Sequence, residues 1–356
     1  MSSSHTCDIL AEARYDEWAR FVEGAPRGSI YHTPAYLEAL ARATGGSFRI
    51  LAVEKGSEIV GGVALYEEMG PGGIRVSPRL LLYYNGPVLV GLDSRYPYKE
   101  TSEHLKILAT LEAWLSSAGY GRLSLKCLPA FTDVRVFASK GWRISPTWSY
   151  VVPITELDTT WSRIDQNLRR LVKRAQREGV TVTEDDDFES FFRLHESTMD
   201  RKDRGVYLDK ERFQAWFTGL RDHELATLYH ARMPDGTAVA ATLVLLGNHP
   251  VAQTVSAAAD SAYQALGTNP LLRWESFRRL HERGYRGVDL TDASLNPVTR
   301  FKGQLGGDLV MSLELDAPRT LRFRMWERGR STYYRARGAA GSVVRRLMGR
   351  TSGGTE

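Results

Sequence analysis

Lys302 stands between the aromatic Phe301 and the run Gly303-Gln304-Leu305-Gly306-Gly307, shortly after the strand-like Val288-Asp289-Leu290. A cation fixed there can stabilise the oxyanion that develops when an amine attacks a thioester or ester carbonyl. Asp289 and Asp292 bracket the end of that strand. In the topology set out below they face Lys302, so one of them can orient the lysine or accept a proton from the amine.

Two further stretches have the residue types to hold phosphate. The loop Gln264-Ala265-Leu266-Gly267-Thr268-Asn269 lies between a predicted strand and a predicted helix, where backbone N–H groups and the helix dipole receive anions. The run from Asn167 to Val180 carries Arg169, Arg170, Lys173, Arg174 and Arg177 among Leu168, Leu171, Val172 and Ala175. Such spacing gives an amphipathic helix, and its cationic face suits the phosphates of a nucleotide, a coenzyme or a tRNA. Other chemistries find no support. There is no HExxH and no Ser-His-Asp order, and Cys7 and Cys127 have no metal-ligand neighbours, so neither a metal nor a disulfide framework is expected. His195 has no partner in the sequence and reads as a packed or surface histidine.

The elements that must position these residues fall into two stretches of the same order. In the first, a helix over Pro34–Ala43 leads to strands Phe48–Val53 and Ile59–Tyr66 around a turn at 54–58. An apolar strand Leu80–Tyr84 follows, then the turn Asn85-Gly86-Pro87. Leu105, Leu108, Leu111 and Leu115 mark one face of a helix over Thr101–Ser117. Strand Leu123–Cys127, a helix near Phe131–Lys140 and a closing strand Trp148–Pro153 complete the stretch. The second opens with a basic helix Trp161–Glu178 capped by Gly179. It continues through strand Val180–Thr183, a helix Phe188–Met199 capped by Asp187, and a helix near Lys210–Leu220. Strands Leu225–Ala231 and Ala238–Leu246 flank the turn Pro234-Asp235-Gly236. After them come strand Val251–Ala257, helix Leu271–Arg283, strand Val288–Thr291 and the Lys302 segment. Two similar α/β modules, residues 1–155 and 156–317, are the simplest account.

A length of 356 residues, with 42% hydrophobic and 25% charged residues, is globular material for two domains and a tail. The formal charge of +5 is unevenly placed, because residues 318–356 hold ten arginines against two glutamates. Any polyanion contact implied by the basic balance therefore belongs to this tail, which offers a surface to tRNA or to anionic membrane. The N-terminus has no signal-peptide pattern and no run of about 18 apolar residues occurs, so a cytoplasmic protein is expected, with the tail able to lie at the inner membrane face.

The 264–269 loop resembles the Gln/Arg-x-x-Gly-x-Gly/Ala loop that carries coenzyme A in GCN5-related N-acetyltransferases (GNAT), with Asn269 in place of the last small residue. Over roughly residues 30 to 315, the order of Tyr31-His32-Thr33-Pro34-Ala35-Tyr36, Tyr84-Asn85-Gly86-Pro87-Val88, the Arg169–Val180 run, Asp289-Leu290 and Phe301-Lys302 resembles the Fem-type peptidoglycan bridge-forming transferases and the related BioF2-like acetyltransferase group. The resemblance implies an α/β fold of tandem GNAT-like modules, each a mixed, mostly antiparallel sheet flanked by helices. It also implies an acyltransferase that takes an acyl-CoA or aminoacyl-tRNA donor, without metal, to a primary amine of a small molecule or cell-envelope precursor. Lys302 would inherit the transfer role of the lysine after the phenylalanine. Phe301, Gln264, Gly267, Thr268, Arg170 and Arg174 would serve substrate or donor binding, together with Arg201 or Arg204 paired with Tyr207. Two family positions differ: Leu37-Glu38-Ala39-Leu40 lacks the lysine that holds a nucleotide sugar, and Leu123–Cys127 lacks the acidic residue of the first-domain strand. A non-catalytic protein that binds polyanions or a membrane surface is the reading from a different class.

Overall fold

The structure is a computed structural model that describes residues 4–70, 73–202, 205–295 and 297–325. In the first module, strands β1 (His5–Ile9), β2 (Ser47–Lys55), β3 (Glu58–Gly70), β4 (Ile74–Ser77), β5 (Val88–Leu89) and β6 (Arg122–Lys126) are flanked by α1 (Tyr15–Gly24), α2 (Pro34–Thr44), α3 (Pro97–Ser117) and α4 (Arg135–Ser139). Strand β7 (Arg143–Pro153) leads into the second module. There α5 (Leu157–Arg163), α6 (Gln166–Arg177), α7 (Phe188–Arg201), α8 (Lys210–Arg221), α9 (Thr268–Glu282) and α10 (Pro297–Gln304) surround β8 (Thr181–Glu184), β9 (Ala226–Arg232), β10 (Ala238–Leu245), β11 (Val251–Ala259), β12 (Gly287–Asp289) and β13 (Asp308–Asp316).

Local chemistry sets many of these boundaries. The Thr33 hydroxyl accepts from the Tyr36 N–H and Pro34 opens α2, while Gly45, at φ 75°, closes it. The predicted basic helix is broken in two, because Asp165 caps α6 by accepting from the Asn167 N–H at 2.9 Å. The predicted strand Leu80–Tyr84 is irregular chain. Leu81 sits at φ 53°, and its carbonyl is taken by the Tyr36 hydroxyl at 2.5 Å instead of a neighbouring strand. The helix expected near Phe131–Lys140 is shorter, and the one expected from Thr101 begins at Pro97.

The strands form one sheet in the order β1-β2-β3-β4-β6-β13-β7-β12-β11-β10-β9-β8, with β5 beside β3. Pairing is antiparallel except for β4 with β6 and β11 with β12. The last strand crosses back over the seam. From Asp308↔Val151 to Asp316↔Arg143 it lies along β7, and Glu314–Asp316 also pair with Lys126–Ser124 of β6. The tail begins by docking on the first module. Residues 321–325 are helical, and Phe323 is buried beside Gly121, where an added Cβ would come 3.0 Å from its ring. The tail's arginines beyond position 325 lie outside the described residues.

Each module has an apolar core of its own, and a third core joins them. In the shared core Trp18, Tyr36, Leu37 and Leu40 meet Phe191, Phe213, Trp216 and Leu220. Helices α2 and α8 cross closely at Gly219, where a Cβ would lie 3.1 Å from that of Ala39. Trp216 is fully buried, edge-on to Tyr36 with ring centroids 6.1 Å apart. Trp216→Ala is therefore expected to cost about 3–5 kcal/mol, and to lower one unfolding transition common to both modules in a denaturant titration followed by far-UV and near-UV circular dichroism. Two separated transitions in the unmodified protein would show that the shared core does not couple the modules.

Candidate active site

Strand β12 ends in a backbone arrangement that its side chains enforce. The buried Asp289 carboxylate accepts from the Tyr84 hydroxyl at 2.7 Å, from the Ser149 hydroxyl and from the Thr291 N–H at 2.7 Å. Thr291 and Asp292 then adopt left-handed conformations, at φ 47° and 33°. A non-glycine residue there carries a strain of about 1–3 kcal/mol and persists only where its surroundings hold it. Here the Thr291 hydroxyl donates to the Thr254 carbonyl at 2.8 Å, and the Asp292 N–H donates to the Tyr83 hydroxyl.

Lys302 closes the arrangement from α10. Its ammonium donates to the carbonyls of Thr291 and Asp292, the latter at 2.6 Å. Two of its three N–H bonds are thereby directed, and the third has no acceptor among the described residues. Burial, and then the charge of Arg273, pull the Lys302 pKa down to about 8 against the attraction of Asp292 and Asp289. Phe301, half-buried, packs on the second module's core and anchors the helix. The glycines that follow also serve packing: Gly306, at φ 84°, leaves room for Arg163, and Gly303 lies under the Tyr150 ring.

The ammonium borders a cavity of about 430 Å³ between α7, β11, α9 and the Thr291–Asp292 turn. Lys202, Arg273 and Lys302 line it, and Asp292 is the one acid among the described lining residues. Burial works against the Asp292 charge, but its bonds from Ser294 and the charges of Lys302 and Lys126 carry the carboxyl below its usual range. His195 forms part of the wall. Its Nδ1 is 3.1 Å from the Ser256 hydroxyl, and its buried Nε2 has no partner among the described residues. Burial, then the charge of Lys202, hold its pKa near 4, so the ring is neutral at pH 7.

The structure brings only some of the expected residues to this cavity. Lys302, Asp292 and Tyr207 line it. Asp289 does not, and its three donors make it a tie between the modules, although burial raises its pKa. Arg201 is exposed and bonds the Ala259 carbonyl at 3.3 Å, and Arg204 lies outside the described residues. Gln264 is exposed beside the cavity-forming elements, whereas Gly267 and Thr268 are buried. An added Cβ at Gly267 would stand 2.4 Å from the Leu171 carbonyl oxygen, so the space expected for a pyrophosphate at that residue is taken by α6. Arg170 and Arg174 lie exposed on the outer face of that same helix, and Arg170, Lys173 and Arg177 line a shallow depression there.

Two residues escaped the sequence reading, and a third, His195, is expected there as a packed or surface histidine; it is packed, and its ring also forms part of the cavity wall. Arg273 belongs to that wall as well. Lys126, 4% exposed, sets its ammonium 3.5 Å from the centroid of the Tyr83 ring, where burial and then the charge of Arg79 bring its pKa to about 8. It flanks the Asp292 turn from the first-module side.

Comparison with known proteins bears on the fold. The acetyltransferase (GNAT) domain family matches residues 162–302, a span that ends at Lys302. No curated protein matches the chain in sequence. Among solved structures, FemX superposes with a TM-score of 0.67 at 14% identity, covering 87% of this chain and 96% of FemX. L-PGS from Bacillus licheniformis gives 0.56 at 13% identity, over 89% of this chain and 96% of that one. A tandem GNAT protein from the clavulanic acid biosynthesis pathway gives 0.51 at 15% identity, over 88% and 98%. Residues 162–302 thus match the acetyltransferase (GNAT) domain family, and the chain as a whole shares its fold with FemX and with the tandem GNAT protein.

Proposed function

We propose that the protein is an N-acyltransferase that joins an acyl or aminoacyl group to a primary amine held in the cavity beside Lys302. The observation that carries this reading is the Lys302 ammonium, anchored by two carbonyls with one N–H free, at the edge of a small-molecule-sized cavity in a GNAT domain. In the transfer step the neutral amine's lone pair forms the C–N bond as the carbonyl π pair moves to oxygen. The free N–H of Lys302 meets that oxygen. Collapse breaks the C–S bond of a coenzyme A thioester or the C–O bond of an aminoacyl ester, and the amine's proton leaves with the thiol or hydroxyl. Asp292 keeps Lys302 charged, and its lowered pKa makes it a poor proton acceptor. The donor's phosphates, whether of coenzyme A or of tRNA, would lie along Arg170, Lys173, Arg174 and Arg177 on α6, the helix packed against the Gln264–Asn269 loop.

A lysine that titrates near 8 gives the reaction a signature. The ammonium is present below that pH and lost above it, so kcat is expected to fall as pH rises through about 8. Lys302→Met should lower kcat by about 10²- to 10³-fold, as removal of one oxyanion donor does. Lys302→Arg, which stays charged, should lose the alkaline limb. A pH profile unchanged by both substitutions would remove Lys302 from the mechanism.

The donor track is tested separately. Arg170→Ala combined with Arg174→Ala is expected to raise the donor KM by roughly three- to thirtyfold, the range for two exposed ion contacts, and to leave kcat and the acceptor KM within about twofold. If the acceptor KM rises instead, or neither constant moves, the phosphates lie elsewhere.

A further inference from the structure

One charge in the cavity has no task in the transfer step. Arg273 belongs to α9, on the helix face that also carries Phe277 and Leu280 into the core, and is 5% exposed. Its Nη1 donates to the Thr242 hydroxyl at 3.2 Å, its Nε has no partner, and no carboxylate pairs with it among the described residues. A guanidinium withdrawn from water without a counter-ion is strongly disfavoured, and structural arginines are found with a carboxylate beside them. The residue nevertheless lines the cavity, in the company of Lys202 and Lys302 and facing walls of Val255 and Leu290. Among the described lining residues the one acid beside Arg273 and Lys302 is Asp292, whose side chain is bonded to Ser294.

From this geometry we infer that Arg273 receives a carboxylate of the amine that is acylated, so that the acceptor is an amino acid-like molecule bearing both groups on a short apolar spacer. The planar fork of a guanidinium matches a carboxylate with two parallel N–H bonds. An acceptor anchored in this way would present its nitrogen at the Lys302 end of the cavity, with its methylenes against Val255 and Leu290. An uncharged amine would leave the guanidinium unpaired, and is selected against for that reason. The inference rests on the acyl-transfer reading for the amine, though not for the anion site itself.

The test has a binding arm and a kinetic arm. In thermal melts of the full chain, glutarate at saturating concentration is expected to raise Tm by about 2 °C or more, whereas glutaramide does not. Arg273→Met should abolish that rise and, by removing an uncompensated buried charge, melt no lower than the parent in ligand-free buffer. Arg273→Lys, which keeps the charge without the fork, should retain only part of the response. In turnover, 4-aminobutyrate should exceed 4-aminobutyramide by about 10- to 100-fold in kcat/KM, the range for a hydrogen bond to a charged group, and Arg273→Met should erase the difference. The inference is overturned if glutarate gives no shift, if inorganic phosphate shifts Tm where glutarate does not, if Arg273→Met melts well below the parent, or if the carboxylate preference follows the donor's acyl group. Absence of turnover with every donor, alongside an intact Arg273-dependent glutarate shift, would instead count against acyl transfer and leave the anion site standing.

Discussion

The buried carboxylate of Asp289 is the interaction on which the rest of the site depends. It sits where β12 ends, and its three donors come from three different places: Tyr84 in the first module, Ser149 on the seam strand β7, and the Thr291 N–H two residues on. Burial alone would favour the neutral acid, and these donors together with the nearby Lys126 charge oppose that. The bond from Thr291 is the consequential one, because it accompanies the left-handed turn at Thr291 and Asp292 whose carbonyls aim at Lys302. A lysine on a short helix is otherwise a mobile group. Here its head is fixed by a turn that is itself fixed by a carboxylate tied to the other module.

The second constraint is electrostatic. Lys126, Lys302 and Arg273 are all drawn below their usual pKa chiefly by burial. A fold selected for stability alone would pair or replace such groups. Their persistence around one turn and one cavity is the pattern expected where a protein waits for negative charge, whether brought by a ligand or developed on a carbonyl oxygen during reaction. In the proposed reaction, Lys302 would answer to the developing charge. The cation–π contact of Lys126 with Tyr83 gives that ammonium a partial solvent where no carboxylate among the described residues is bonded to it.

Much of this was legible in the sequence, for stated physical reasons. Hydrophobic periodicity and capping residues located α2, α7 and most of the strands, and the position of Lys302 after a strand and before glycines identified the residue that borders the cavity. What failed were features decided by long-range pairing. Leu80–Tyr84 has the composition of a strand, but its polar groups are satisfied by Tyr36, and the chain there serves as a strut for Asp289. The return of β13 to lie between β6 and β7 has no local signature. Gly267 looked like space for a phosphate because sequence shows that a glycine is required and not which neighbour requires it; Leu171 of α6 does. Arg273 did carry a signal. It falls in helical register with Pro270, Phe277 and Leu280 on the buried face of α9, and a charge on an apolar face is the kind of local inconsistency that marks a working site.

The shared sheet explains why the chain needs two modules when the GNAT match spans only residues 162–302. Within that span the turn that holds Lys302 would lack Tyr83 and Tyr84, and Asp289 would keep only the Thr291 N–H, since Ser149 also precedes it. A buried carboxylate with one donor takes up a proton or draws in water, and the strained backbone at Thr291 and Asp292 would lose its restraint. The first module therefore holds the turn beside Lys302 in place, although none of the described lining residues of the cavity comes from it. It supplies two tyrosines at the seam, and the mixed core of α2 against α8 keeps them in register with β12.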